Sequence, residues 1–284
     1  MTQPDQRERG LTLTQSTDVS PADIPVVILC GGMGTRLREA SEQLPKGLVD
    51  IGGRPVLWHI MKTYSHYGFR RFVLCLGYKG DMIKDYFVDH RARTNDFTLR
   101  LRGPHELEFH TDVAAEDWEI TFAETGLTTA TGARIARVAA YLDAPRFALT
   151  YGDGIGAMDL PATLAAHVAS GKLGTLTGVH PSGRYGEMVL EGDAVTQFNE
   201  KQSQTGYVNG GFFFFERSFV DRYLDADATD EMLEHAPLQR LARDGELGVH
   251  RHEGFWMGMD TFRDWKELNG LWDDGRAEWK VWSD

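Results

Sequence analysis

Residues 31–36 read Gly-Gly-Met-Gly-Thr-Arg and follow directly on the apolar run Val26-Val27-Ile28-Leu29-Cys30. A buried strand that breaks into three glycines brings bare backbone N–H groups close to an anion, because glycine accepts φ > 0 and has no Cβ to hold a ligand off. Arg36 adds a fork of donors matched to phosphate oxygens, and Lys46, ten positions on, adds a second point charge. Two commoner phosphate loops are excluded. The dinucleotide fingerprint needs a third glycine where Leu37 stands, and Gly171-Lys172 runs into Leu173 where a P-loop needs Ser or Thr.

Two aspartates stand out beside these basic groups. Asp153 sits between Gly152 and Gly154 after the strand-like Arg146–Tyr151. A carboxylate there suits Mg²⁺, a hard cation that takes oxygen ligands, and it equally suits a plain turn. Asp260 precedes Thr261 and a helical stretch; on its own it fits a helix N-cap or first-turn carboxylate better than a metal ligand. The formal net charge is −12, which argues against nucleic acid as a partner. A chain this acidic needs its positive charge gathered in one place to hold a phosphorylated substrate, and Arg36, Lys46, Arg134 and Lys201 are the candidates.

The elements that must position these groups alternate. Strands are expected at Pro25–Cys30, Arg71–Leu76, Glu119–Ala123 and Arg146–Tyr151, and helices at Val56–Tyr67, Asp81–Phe87 and Gly132–Leu142. The pattern predicts an α/β fold, a Rossmann-like, mostly parallel sheet flanked by helices, with ligands outside the C-terminal strand ends. Both the glycine loop and Gly152-Asp153-Gly154 fall at such ends. Beyond about residue 175 short strands at 175–179, 188–190, 195–198 and 212–215 suggest a smaller mixed β extension covering the substrate, with helices at 236–244 and 262–272. The division expected is a flexible tail over 1–24 and a single domain over 25–284, its core about 25–174 and its second part about 175–284. Segment 88–118 is polar for its length and fits either a flap or an oligomer contact.

No run of 18 apolar residues occurs, so no membrane-spanning helix is expected. Residues 1–24 have no apolar h-region of a secretory signal. Cys30 and Cys75 both end apolar runs and read as buried small hydrophobes rather than a disulfide or metal pair. A cytoplasmic setting and a homo-oligomer are expected.

The stretch Gly-Gly-x-Gly-Thr-Arg followed by Pro45-Lys46 resembles the signature of the sugar-phosphate nucleotidyltransferases, more closely that of the glucose-1-phosphate cytidylyltransferases. The resemblance continues through Ile51–Lys62, Gly77-Tyr78-Lys79-Gly80, Thr131-Gly132-Ala133-Arg134, Tyr151-Gly152-Asp153-Gly154, Glu200-Lys201, Asn209–Phe213 and Gly254-Phe255-Trp256 with Met259-Asp260-Thr261. It implies an enzyme that joins CTP to a sugar 1-phosphate with Mg²⁺ and releases pyrophosphate. It implies a nucleotide site of Leu29, Cys30, Gly31, Gly32, Met33, Gly34, Thr35, Arg36, Lys46, Thr129, Gly132, Arg134 and Gly152. Arg36, Lys46 and Asp153 would be catalytic, Asp153 and Asp260 the metal ligands, and Glu200, Lys201, Asn209 and Gly210 the sugar-phosphate contacts. The chain departs from the family at Gly47, Gln202 and Met257-Gly258, each a loop neighbour of a retained charge. These departures leave open another sugar phosphate or small phosphate, or UTP or dTTP in place of CTP. A non-catalytic homologue is the remote alternative.

Overall fold

A computed structural model of the chain describes residues 19–32, 44–103, 106–111, 116–180, 187–191, 194–199 and 207–283. Its centre is a seven-stranded sheet. The strands are β1 (Val26–Leu29), β2 (Arg71–Leu76), β3 (Glu119–Glu124), β4 (Arg146–Tyr151), β5 (Gly174–Val179), β6 (Val208–Glu216) and β7 (Leu247–His252). They lie side by side in the order β7-β5-β6-β4-β1-β2-β3. β1 pairs in parallel with β2 and β4, β2 with β3, and β5 with β7. β6 runs antiparallel to both of its neighbours, β4 and β5.

The core sits on both faces of this sheet, as an α/β arrangement requires. Alternate residues of each strand point to opposite sides. Ile28, Leu74, Ala148, Phe212 and Phe214 face one core, and Leu29, Cys75, Leu149, Phe213 and Phe215 face the other. Helix α1 (Val56–His66) buries Val56, Leu57, Ile60, Met61 and Tyr64 against the first face and ends before Gly68, whose φ of +93° a side chain would disfavour. Helix α2 (Gly80–Val88) follows β2. Helix α3 (Thr131–Arg137) and helix α5 (Ala236–Arg243) cover the second face; helix α4 (Leu160–Ser170) and helix α6 (Phe262–Asp273) complete the first.

Some expectations are corrected. The strands at 175–179 and 212–215 belong to the main sheet, not to an extension; outside it, the hairpin Glu187–Glu191 with Ala194–Asn199 forms a separate two-stranded sheet. The helix expected over 132–142 ends at Arg137 and tightens into a 3-10 turn at Ala139–Tyr141. Ile135, Val138 and Leu142 stay buried through this change, so apolar spacing cannot reveal it. Helix α4 was not foreseen, although Asp159 at its N-cap, Pro161 in its first turn and Gly171 at its C-cap mark it. Of the stretch expected as a tail, Pro21–Asp23 form a 3-10 turn capped by Ser20, and Ile24 is fully buried. Segment 88–118 contains a short helix, His90–Thr94, and a hairpin of Phe97–Arg100 with Glu106–Phe109. No helix among the described residues is long and apolar enough to cross a membrane.

The C-terminal segment returns to α1 and α6. His59, fully buried, lies edge-on to Trp58, Trp272 and Trp279. The indole N–H of Trp279 can only donate, so His59 Nδ1 accepts (3.4 Å) and Nε2 carries the proton given to the Ile51 carbonyl (2.8 Å). Burial depresses the imidazole to about 4. Unfolded, the group titrates near 6.5, so its contribution is complete above that pH and is lost as pH falls through the window from about 6.5 to 4. His59→Gln keeps an amide donor and acceptor but cannot titrate. Between pH 7 and 4.5, urea unfolding should show the wild type losing about 2–3 kcal/mol more than this variant. Equal losses would contradict the assignment.

Candidate active site

Lys46 opens a 3-10 turn, Lys46–Leu48, after Pro45, and its ammonium bridges two carboxylates from distant parts of the chain. Nζ lies 2.5 Å from Asp153 Oδ2 and 2.8 Å from Asp260 Oδ1. Burial alone would lower the Lys46 pKa, but the charge of Asp153 and the hydrogen bonds Lys46 donates to both aspartates outweigh it and hold the group above its ordinary value. The ammonium is therefore firmly protonated.

Each partner is placed by local structure. Asp153 follows β4, and Met259 N–H donates to its backbone carbonyl (2.9 Å), which ties the two aspartate loops together. The N-cap of α6 is Thr261, in a reciprocal capping box with Asp264. The Asp264 carboxylate also accepts from Asp260 N–H at 3.0 Å. The capping role open to Asp260 in the sequence thus falls to its neighbour, and the Asp260 carboxylate turns to Lys46. Helix α6 is itself fixed to the turn beyond Lys46. Trp265 Nε1 donates to the Asp50 carbonyl (2.8 Å), and Asn269 accepts from Gly52 N–H (3.0 Å).

A cleft of about 290 Å³ opens beside this cluster. Leu29, Cys30, Gly31, Gly32, Lys46, Thr129, Arg134, Gly152 and Asp153, all expected at the site, line it. Met33, Gly34, Thr35, Arg36, Glu200 and Lys201 lie outside the described residues. Gly132 does not line the cleft; a Cβ there would stand 2.7 Å from the Glu231 carbonyl. Asn209 reaches the cleft wall through Tyr151 (Nδ2 to Oη 3.4 Å), and the Gly210 carbonyl accepts from Trp256 Nε1 at 2.8 Å. Both cysteines are buried free thiols; burial raises both, Cys75 to about 12.

Arg134, in the first turns of α3, is 4% exposed and so buried rather than solvated. Its NH1 donates to the Leu76 carbonyl (2.8 Å) and Thr125 Oγ1 (2.6 Å), and its NH2 to the carbonyls of Gly31 and Leu127, both at 3.3 Å. The guanidinium thus ties the start of the glycine loop to the end of β2. It also explains two glycines, since a Cβ on Gly31 would sit 2.3 Å from Arg134 Cζ and one on Gly77 2.8 Å from its NH1. Sequence reading left three further lining residues, Tyr151, Thr131 and Met232, out of the site. The first two belong to motifs already singled out, whereas Met232 belongs to a loop with no motif.

Two convergent carboxylates already holding one cation have the donor chemistry of a magnesium site, since Mg²⁺ binds through one or two carboxylates plus substrate phosphates rather than a closed protein cage. Asp153 and Asp260 would hold it. No group of three or more His, Cys, Asp or Glu side chains suited to a metal occurs among the described residues.

A mostly parallel sheet with glycines after its first strand and Asp153 just beyond the end of β4 is the arrangement of an α/β fold that binds its ligand at the C-terminal strand ends. The Nucleotidyl transferase family model matches residues 25–274, and the chain belongs to that family. Within it the chain belongs with the glucose-1-phosphate cytidylyltransferases. It is 45% identical over 258 residues to the glucose-1-phosphate cytidylyltransferase of Salmonella typhi, covering 90% of this chain and 98% of that one. It is 26% identical over 251 residues to the mannose-1-phosphate guanylyltransferase catalytic subunit beta of Xenopus tropicalis, covering 86% of this chain and 63% of that one. Among solved structures, HddC from Yersinia pseudotuberculosis superposes with a TM-score of 0.64 at 23% identity, over 88% of this chain and 99% of that one. The inositol-1-phosphate CTP transferase of T. maritima gives 0.59 at 14%, over 93% and 99%. These structures share the fold.

Gly31→Ala should drive its methyl into the Arg134 guanidinium and cost about 1–3 kcal/mol in denaturant unfolding, the cost of breaking buried charged hydrogen bonds. Gly32→Ala meets nothing within 4 Å and should stay near wild type. Equal losses at the two positions would contradict this account of the loop.

Proposed function

We propose that the chain transfers the cytidylyl group of CTP to α-D-glucose 1-phosphate, giving CDP-glucose and pyrophosphate. The observation that carries the reading is the convergence of Asp153 and Asp260 on one cation at the mouth of the glycine-lined cleft. The 45% identity to a glucose-1-phosphate cytidylyltransferase supports the choice of both substrates.

The reaction is an in-line displacement. An oxygen of the sugar phosphate forms a bond to the α-phosphorus of CTP, and the bond to the pyrophosphate oxygen breaks on the opposite side. The nucleophile already bears negative charge, so no general base is required, and the protein supplies alignment and charge neutralisation. Mg²⁺ held by Asp153 and Asp260 would neutralise charge on the triphosphate. Backbone N–H groups of the loop from Gly31 would cradle the triphosphate, with Arg36 on the departing pyrophosphate. Lys46 would meet the charge growing on the α-phosphoryl oxygens, exchanging a carboxylate partner for a phosphoryl one. Lys201 would hold the sugar phosphate and Glu200 a sugar hydroxyl, beside Asn209 and Gly210.

Cytosine presents a donor at N4 and acceptors at N3 and O2. Arg134 would read the acceptors through NH2, whose two contacts are its longer ones, 3.3 Å each, while backbone carbonyls of the 125–130 loop would accept from N4. Pyrophosphate release is the test, measured with CTP, UTP and dTTP crossed with a panel of sugar 1-phosphates. CTP with glucose 1-phosphate should lead by about a hundredfold or more in kcat/KM, the scale expected when a site built for hydrogen bonds meets a base that leaves them unmade. Arg134→Ala should lose activity with CTP and narrow the gap to UTP. Equal use of UTP or dTTP would overturn the cytidylyl assignment and leave nucleotidyl transfer standing.

The two lysines separate kinetically. Lys46→Ala should mainly lower kcat, because its contact strengthens as charge builds, whereas Lys201→Ala should mainly raise KM for the sugar phosphate. The reverse pattern would exchange their roles.

A further inference from the structure

The Glu234 carboxylate, which no motif marks, holds both walls of the cleft. Tyr151, the residue before Gly152-Asp153, donates its phenol hydrogen to Glu234 Oε1 at 2.5 Å. Thr131, at the start of α3, donates its hydroxyl to Glu234 Oε2 at 2.9 Å. Both donors line the cleft, Tyr151 at the strand end beside Asp153 and Thr131 three residues before Arg134. Around the carboxylate, the backbone of 229–234 is laced to the same helix start. Ala130 N–H donates to the Thr229 carbonyl (2.8 Å), Gly132 N–H to that of Glu231 (3.1 Å), and Leu233 N–H to Thr131 Oγ1 (2.8 Å). On its far side the phenol oxygen accepts from Asn209 Nδ2 at 3.4 Å, and a Cβ on Gly211 would meet the Tyr151 ring at 2.4 Å. The ring packs against Gly211 with its hydroxyl fixed by one carboxylate.

We propose that Glu234 is a positioning residue for the nucleotide, holding the Tyr151 strand end and the Thr131 helix start at a fixed separation so that CTP meets a preformed cleft. The proposal rests on the functional reading above and deepens it. Glu234 acts through Tyr151 and Thr131 and touches no reacting atom. Hydrogen bonds to an ionised acceptor are the strong ones, and a cleft whose walls are held before binding spends less of the ligand's interaction energy on ordering.

The test is a double-mutant cycle on Tyr151→Phe and Glu234→Gln, read as pyrophosphate release with CTP and glucose 1-phosphate and accompanied by thermal unfolding. Each single variant should lower kcat/KM for CTP by about tenfold, the effect of one lost charge-assisted hydrogen bond, and mainly through KM for CTP. The double variant should fall no more than about threefold below Glu234→Gln alone, because that substitution already weakens the bond that Tyr151→Phe removes. Thr131→Val, which removes the other arm of the same carboxylate and leaves the aromatic wall intact, should show the same KM signature. A product of two independent losses in the double variant, or a lowered Tm with unchanged CTP kinetics, would overturn the proposal. If the wild type releases no pyrophosphate, the functional reading fails first. The same cycle is then read as CTP affinity by calorimetry, where unchanged affinities across the set, or no CTP binding by the wild type, would overturn the positioning role as well.

Discussion

The Lys46 ammonium between the carboxylates of Asp153 and Asp260 is the contact on which the site depends. Two carboxylates facing each other repel, and a chain of net charge −12 has little spare positive charge to separate them. The arrangement holds because one protonated amine lies between them, largely out of water. It is also a reservoir of binding potential, since the same oxygens that hold the amine suit a divalent cation and the amine, once released, suits a phosphate.

Three pieces of the fold must be in register for this contact to form. β4 delivers Asp153 at its C-terminal end, next to the end of β1, as parallel pairing between these strands dictates. The turn after Pro45 delivers Lys46. Helix α6 delivers Asp260 only because its own side chains are bonded to the 50–52 turn and because Thr261 and Asp264 cap it without the help of Asp260. The tryptophans around His59 anchor this face of the molecule from behind. Stability and site geometry therefore share the same contacts on the α6 side.

What the sequence revealed follows from the range of the interactions involved. The alternation of apolar runs and helical spacing through residue 151 is local, and it located four parallel strands and the loops at their ends. The antiparallel β6 and its partner β5 were recognised as strands but assigned to an extension, because pairing partners are set by tertiary packing rather than by the strands' own residues. β7 was not foreseen; its alternating Leu247-Gly248-Val249-His250-Arg251-His252 is too polar to stand out. Within the site, charged residues beside glycines were legible. The double role of Arg134, stapling the loop while lining the cleft, and the Glu234 carboxylate behind Tyr151 and Thr131 were not, since both depend on contacts with residues far along the chain.

The most direct measurement of the central claim is steady-state turnover of Asp153→Asn across a Mg²⁺ titration, with CTP and glucose 1-phosphate saturating. The substitution keeps the side chain's size and one carbonyl oxygen but removes the charge that Lys46 contacts and that a bound Mg²⁺ would use. The account predicts a fall in kcat of about two to four orders of magnitude that added Mg²⁺ does not restore, as for other lost electrostatic groups at a reacting phosphate. Near-normal turnover at saturating Mg²⁺ would contradict it.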